Sequence, residues 1–193
     1  MTIGKRVTAW VAVAMAAGAV AGCTVTAQAD ALAGGPDVIT PDGFGVLRIG
    51  MTRAEIDAAL GSTPIEDEWA SDECEYYSPL NAPDDLLVMV ENGVLTRITV
   101  MGELPVRTAD GVGLGEPIEP LKARYQTNGS WTPHVYVEPP AGYLTLWADG
   151  IRRDNQFYDA EGARGLVLEA DIDGKVAYIH AGTPSIQYVE GCS

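Results

Sequence analysis

The chain has 193 residues, with 12 Lys and Arg against 27 Asp and Glu, a formal net charge of −15, and 47% apolar residues. That apolar share excludes an acidic disordered chain and leaves room for a packed core. The charge excludes nucleic acid, because phosphate contacts need clustered Lys and Arg, and excludes polybasic attachment to anionic lipid.

Lys5 and Arg6 open the chain with positive charge, and Val7–Ala21 follows as an uncharged apolar run. The run falls short of the roughly 20 apolar residues of a spanning helix. It has the length and flanks of a secretory leader. It ends in Val20-Ala21-Gly22-Cys23, which resembles a bacterial lipoprotein signal: an aliphatic residue, two small residues and a cysteine that carries the lipid. The resemblance implies a signal peptide over 1–22 and Cys23 as the acylated N-terminus, holding the chain to a bilayer. Thr24 in place of Asp leans toward the outer membrane, facing the periplasm, if the envelope is Gram-negative. Removing residues 1–22 takes away Lys5, Arg6 and no acid, so the net charge moves from −15 to −17. Residues 23–43 contain Gly34-Gly35-Pro36 and no apolar period, and are expected to be a flexible tether. The folded part is expected to span 44–193.

Its first element is a helix. Thr52 and Glu55 form a capping box, Ile56, Ala59 and Leu60 share one face, and Gly61 sits where a helix stops. Cys74–Tyr77, Leu86–Val90 and Val94–Val100 read as strands, the last two joined through Asn92-Gly93, the strongest short hairpin signal. A second helix is expected at Pro117–Tyr125, with Pro117 at its first position, Pro120 confined to the first turn, and Leu121 and Tyr125 facing one core. His134–Val137, Tyr143–Ala148, Leu166–Ala170 and Val176–His180 read as further strands, and Ile186–Val189 as a closing one. Gly50-Met51 matches Gly113-Leu114, an offset of 63. The expected fold is α+β: two tandem repeats, about 44–105 and 106–193, each a short helix followed by antiparallel strands. The helices would pack on one face of the sheet.

The phrase Gly50-Met51-Thr52, Glu55-Ile56, Leu60-Gly61 resembles the β-lactamase-inhibitor-protein-like superfamily, which includes the small lipoprotein of the outer-membrane barrel-assembly machinery. The resemblance covers 44–190 as two units and implies helices on one face of an antiparallel sheet. Paired inhibitor members usually hold a disulfide within each repeat, whereas here one cysteine lies in each half. Nothing matches the inhibitory contact loops, so no functional residue carries over.

With Cys23 assigned to lipid, Cys74 and Cys192 remain. In an exported chain they have one intramolecular connectivity. A loop near 100 residues is worth about 4.7 kcal/mol in the chain-entropy model. Asp72, Glu73 and Glu75 around Cys74 disfavour a thiolate nucleophile. His134 and His180 lie in no nucleophile–base phrase and are expected to be structural. Asp171-Ile172-Asp173-Gly174 begins like a calcium loop but has Gly182 where the twelfth-position Glu belongs, so it reads as a turn. Asp84-Asp85 and Asp72-Glu73 read as solvated charge, and Asn128-Gly129-Ser130 carries no weight as a glycosylation signal. No catalytic residue, metal or cofactor is expected.

The aromatic residues carry the most information. Trp131, Tyr136, Tyr143, Trp147, Phe157 and Tyr158 crowd into a short stretch, and fit either a core or a Tyr/Trp-rich binding face. The connection Asp149–Ala163 is long for a hairpin and holds Arg152 and Arg153 beside Phe157 and Tyr158. The expectation is a non-enzymatic, lipid-anchored protein that recognises another envelope or exported protein through Tyr143, Trp147, Arg152, Arg153, Phe157 and Tyr158. A structural role in outer-membrane assembly, a carbohydrate-binding module and an unrecognised hydrolase stay open.

Overall fold

A computed structural model of the chain describes Met1 and residues 37–63, 73–154 and 157–192. The expected signal peptide, Cys23 and most of the expected tether lie outside the described residues. Among the described residues no helix is long and apolar enough to cross a membrane.

Two sheets and two helices make an α+β fold in which strands predominate. Strands β1 (Val38–Thr40), β2 (Gly43–Phe44), β3 (Leu47–Arg48) and β7 (Arg107–Thr108) form a small sheet in the order β3-β2-β1-β7, with β1 antiparallel to β2 and parallel to β7. This corrects the expected tether, which included residues 37–43. Ile39 is fully buried, so the chain is anchored before Phe44.

The large sheet contains β4 (Cys74–Tyr77), β5 (Leu86–Glu91), β6 (Val94–Met101), β8 (Gly129–Pro133), β9 (Gly142–Trp147), β10 (Gly165–Ala170) and β11 (Val176–Gly182). Their order is β4-β5-β6-β11-β10-β9-β8, antiparallel throughout. Asn92 (φ 49°) and Gly93 (φ 79°) make the expected turn between β5 and β6, since a type I′ turn needs positive φ at both central residues.

Two expected strands are corrected. Residues 134–137 form no strand, because Nδ1 of His134 accepts the N–H groups of Tyr136 (3.0 Å) and Val137 (3.2 Å), the donors that a ladder would need. The actual strand, β8, ends at Pro133. Residues 184–187 form a 3-10 helix, Pro184–Gln187, where a strand over 186–189 was expected. Thr183 caps it by accepting from the Ser185 N–H, and Pro184 stands at its start, where no N–H is needed.

Helix α1 (Arg53–Leu60) carries the expected capping box: Thr52 Oγ1 accepts from the Glu55 N–H at 3.3 Å, and Glu55 accepts from the Thr52 N–H at 2.7 Å. The Thr52 N–H, and then its hydroxyl, donate to the Glu55 carboxylate and hold it below its ordinary pKa. Helix α2 (Ile118–Arg124) places Pro117 at the N-cap, one residue earlier than expected, and keeps Pro120 in the first turn. Both helices are docked at their starts by the same three-bond pattern. Gly50 N–H donates to Leu95 O, Leu95 N–H to Met51 O and Arg53 N–H to Gly93 O, while Gly115 N–H donates to Val176 O, Val176 N–H to Glu116 O and Ile118 N–H to Gly174 O.

Alternation along the strands separates two faces. On one, Leu144, Leu168, Ile179, Ile98 and Val88 join Ile56 of α1 and Ile118 and Leu121 of α2 in the main core. The other face carries Tyr143, Thr145, Trp147, Val167, Glu169 and His180, and among the described residues no α-helix covers it. The 3-10 helix lies there instead, with Ile186 packed on Trp147 and Val167.

Candidate functional site

The helix-free face holds a cavity of about 400 Å³. Its floor is polar, with Thr145 from β9, Glu169 from β10 and His180 from β11. Its walls include Tyr143, Trp147, Phe157, Tyr188 and Val189. Period-two geometry puts the floor residues together, because they occupy same-face positions on neighbouring strands.

Glu169 is the centre of the floor. His180 Nε2 lies 3.0 Å from one carboxylate oxygen and His134 Nε2 lies 3.5 Å from the other. Nδ1 of His134 accepts two backbone N–H groups, so its ring proton is assigned to Nε2, facing Glu169. Nδ1 of His180 lies 2.9 Å from Thr99 Oγ1. Burial pushes the His180 pKa down, an effect the Glu169 hydrogen bond opposes and the Arg97 charge reinforces. Tyr143 stacks on His134 with ring centroids 5.0 Å apart, and its buried hydroxyl has no hydrogen-bond partner. Burial, and then the Glu169 charge, push the Tyr143 phenol up.

The two histidines were expected to be structural. His180 is satisfied as a buried residue should be, yet both histidines meet on one carboxylate, which the sequence reading passed over. The available signal was Glu169 itself, the one charge inside the apolar run Leu166–Ala170. Among the described residues no group of three or more His, Cys, Asp or Glu is placed to hold a metal ion.

Of the residues expected to touch a partner, Tyr143, Trp147, Arg153 and Phe157 line the cavity. Tyr158 stands behind the wall, edge-on to Trp147 at 4.8 Å, with its N–H and C=O both bonded to the Gln187 side chain. Arg152 is not among the lining residues; it pairs with Asp154 and donates to Gln126 O at 2.6 Å. Arg153 is paired with Asp149 at 2.6 Å, and its guanidinium lies 3.7 Å from the centroid of the Tyr158 ring.

The C-terminal segment forms one wall. Buried Arg97 donates to Ser185 O and Tyr188 O. Ser185 Oγ donates to Glu91. Cys192 is disulfide-bonded to Cys74, with Cα atoms 5.6 Å apart and 118 residues of separation. The pairing expected from the sequence is therefore present, and it closes the segment over the sheet.

Acid should weaken the fold through His180. Its folded pKa lies below the ordinary value near 6.5, so between those two values the unfolded chain binds a proton that the folded chain refuses. The His180 contribution is complete above about pH 6.5 and is lost as the pH falls through that window. Urea midpoints measured from pH 7 to pH 5 should fall less steeply for His180→Gln than for the unaltered chain. Equal slopes would remove His180 as the cause.

Comparison of the chain with protein-family models, with curated proteins and with solved structures returns no match.

Proposed function

We propose that this chain is a lipid-anchored cell-envelope protein that binds another envelope or exported protein through the helix-free face of its sheet. The observation that carries the reading is the cavity on that face, with a polar floor and a rim that includes exposed Val135, Phe157, Tyr188 and Val189. Large apolar side chains left in water around a formed cavity mark interaction surfaces. The lipobox-like Val20–Cys23 phrase supports export and anchoring through acylated Cys23, which places the binding face outside the cytoplasm. In a Gram-negative envelope the proposed location is the outer membrane, facing the periplasm.

The architecture we propose is a tandem repeat of the β-lactamase-inhibitor-protein-like kind. Its support is the shared docking pattern of the two helices. Gly50 corresponds to Gly115, an offset of 65, and Leu95 to Val176, an offset of 81. Both hairpins carry a register shift at matching places, Met89/Val90 and Glu169/Ala170. This matching puts Gly115 opposite Gly50, two residues beyond the Gly113 read from the sequence. β6 and β11 then meet antiparallel at the centre, with Thr99 opposite His180. The equivalent of Glu169 in the first half is Met89, so the polar floor belongs to the second half alone.

Binding is favoured over turnover. Cys74 and Cys192 are spent in the disulfide, and the imidazoles are committed to Glu169. A stacking platform for sugars is disfavoured because Trp147 is only 5% exposed.

Site-specific photocrosslinking tests the reading. A photoreactive residue replaces Phe157 on the proposed face, or Glu119 on exposed α2, in the full chain expressed in its own host. One exported protein should crosslink at position 157 and not at 119, and Cys23→Ser should leave the membrane fraction. Equal crosslinking at the two positions, or none at 157, would overturn the face assignment.

A further inference from the structure

We infer that the cavity takes a cationic group, the ammonium or guanidinium end of a lysine or arginine side chain presented by the protein partner. The inference rests on the helix-free face being the binding face, and adds what that face selects.

Charge accounting points to a cation. Among the described residues, Glu169 and Arg153 are the only Asp, Glu, Lys or Arg lining the cavity. Arg153 is matched by Asp149 and covered by Tyr158. His180 is hydrogen-bonded to Glu169 at 3.0 Å, and the His134 ring stands 3.5 Å away. Nδ1 of His134 accepts from two backbone N–H groups, and buried His180 has no second carboxylate among its hydrogen bonds. They steady the carboxylate without cancelling its charge. A carboxylate offers about four acceptor positions, of which the His180 hydrogen bond occupies one. The Glu169 side chain is 19% exposed and lines the cavity.

The walls suit the same group. Tyr143, Phe157 and Tyr188 line the same cavity as Glu169, and Phe157 and Tyr188 lie nearly parallel, 5.9 Å apart. Ring faces attract ammonium and guanidinium groups, more strongly when water is excluded. Aromatic rings and one carboxylate lining the same cavity therefore reward a cation twice, and penalise an anion through Glu169.

The rim argues for a protein side chain as the source. Beyond the cavity, Val135, Tyr136, Tyr188 and Val189 line a second, shallower groove. Tyr136 is 68% exposed and Val135 64%. A lone amine would leave this apolar strip in water, whereas the residues flanking a lysine or arginine would cover it. The chain's net charge of −15 draws a basic partner from a distance.

The test titrates the full chain with the capped tripeptides Leu-Lys-Leu, Leu-Arg-Leu, Leu-Gln-Leu and Leu-Glu-Leu, and with butylammonium, following amide and imidazole NMR shifts. The basic peptides should bind at least tenfold more tightly than the Gln peptide, with shifts at Glu169, His180 and Phe157. The Glu peptide should bind most weakly. Glu169→Gln, which keeps size and an acceptor, should erase the preference for Lys and Arg and flatten the salt dependence. The wild-type shift map needs no variant and stands if that variant fails to fold. Equal binding of Lys and Gln peptides, lost in Phe157→Ala, would overturn the cation inference while leaving the face assignment standing. No binding by any peptide, or shifts confined to the helix side, would overturn the inference and count against the face. Butylammonium binding as tightly as the Lys peptide would overturn the protein side chain as source.

Discussion

Replacing Cys74 and Cys192 together with alanine should lower the unfolding free energy by about 2–5 kcal/mol, the usual cost of deleting a native disulfide from a small exported fold. The bridge spans 118 residues, so its loss restores a large loop entropy to the unfolded chain. Locally the effect concentrates on the C-terminal segment. Without the bridge, residues 188–192 keep contacts such as the Arg97 bond to Tyr188 O, the Tyr188 N–H bond to Ser185 O and Tyr136 on Glu190, with no covalent cross-link. Tyr188 and Val189, which wall the cavity, would then sample positions away from it. Urea unfolding should show the stability loss, and hydrogen exchange should show protection falling first over 184–192. Dithiothreitol on the unaltered chain should reproduce both. Identical unfolding midpoints in oxidised and reduced protein would show that the bridge adds nothing to the fold.

What the sequence disclosed, and what it withheld, follow from where each signal is local. Helix α1 was readable because its capping box and stop residue lie within ten positions, and the β5–β6 hairpin because Asn92-Gly93 names its own turn. Strands β1, β2, β3 and β7 are two or three residues long, too short for any period to register. They form because Ile39 and Leu47 bury themselves in the main core, a fact of the assembled fold. Residues 134–137 looked like a strand by composition, yet one imidazole nitrogen captured the donors that the ladder required. The candidate site was half legible. The aromatic crowding identified three of its lining residues, Tyr143, Trp147 and Phe157, and the long connection identified Arg153. The meeting of His134, Glu169 and His180 was not legible, because it joins the end of β8 to two central strands across 46 residues of sequence. The lone charge of Glu169 was the local trace of it. A carboxylate at 19% exposure needs a donor, and His180 supplies it, with His134 3.5 Å away.

Two aromatic residues that the sequence grouped together should behave differently on truncation, and the contrast separates packing from recognition. Trp147 is 5% exposed and sits in a cluster with Val167 and Ile186, with Tyr158 edge-on and the Arg153 guanidinium 5.8 Å from its ring. Trp147→Ala should cost about 3–5 kcal/mol, as burial of a large ring predicts, because the cavity it leaves cannot collapse against a β-strand backbone. The loss should also free the 149–163 connection, since Tyr158 packs on that ring. Phe157 is 58% exposed, with its ring stacked on Tyr188. Phe157→Ala should cost under about 1 kcal/mol of stability. Its effect should fall on binding instead, with a loss of tenfold or more if it is one of the few residues that carry an interface. Thermal unfolding and peptide titration on the same two variants read both quantities. If Phe157→Ala unfolds as early as Trp147→Ala, the exposed ring is part of the core. If it leaves both stability and affinity unchanged, the rim has no role in recognition and the cavity floor alone must account for selectivity.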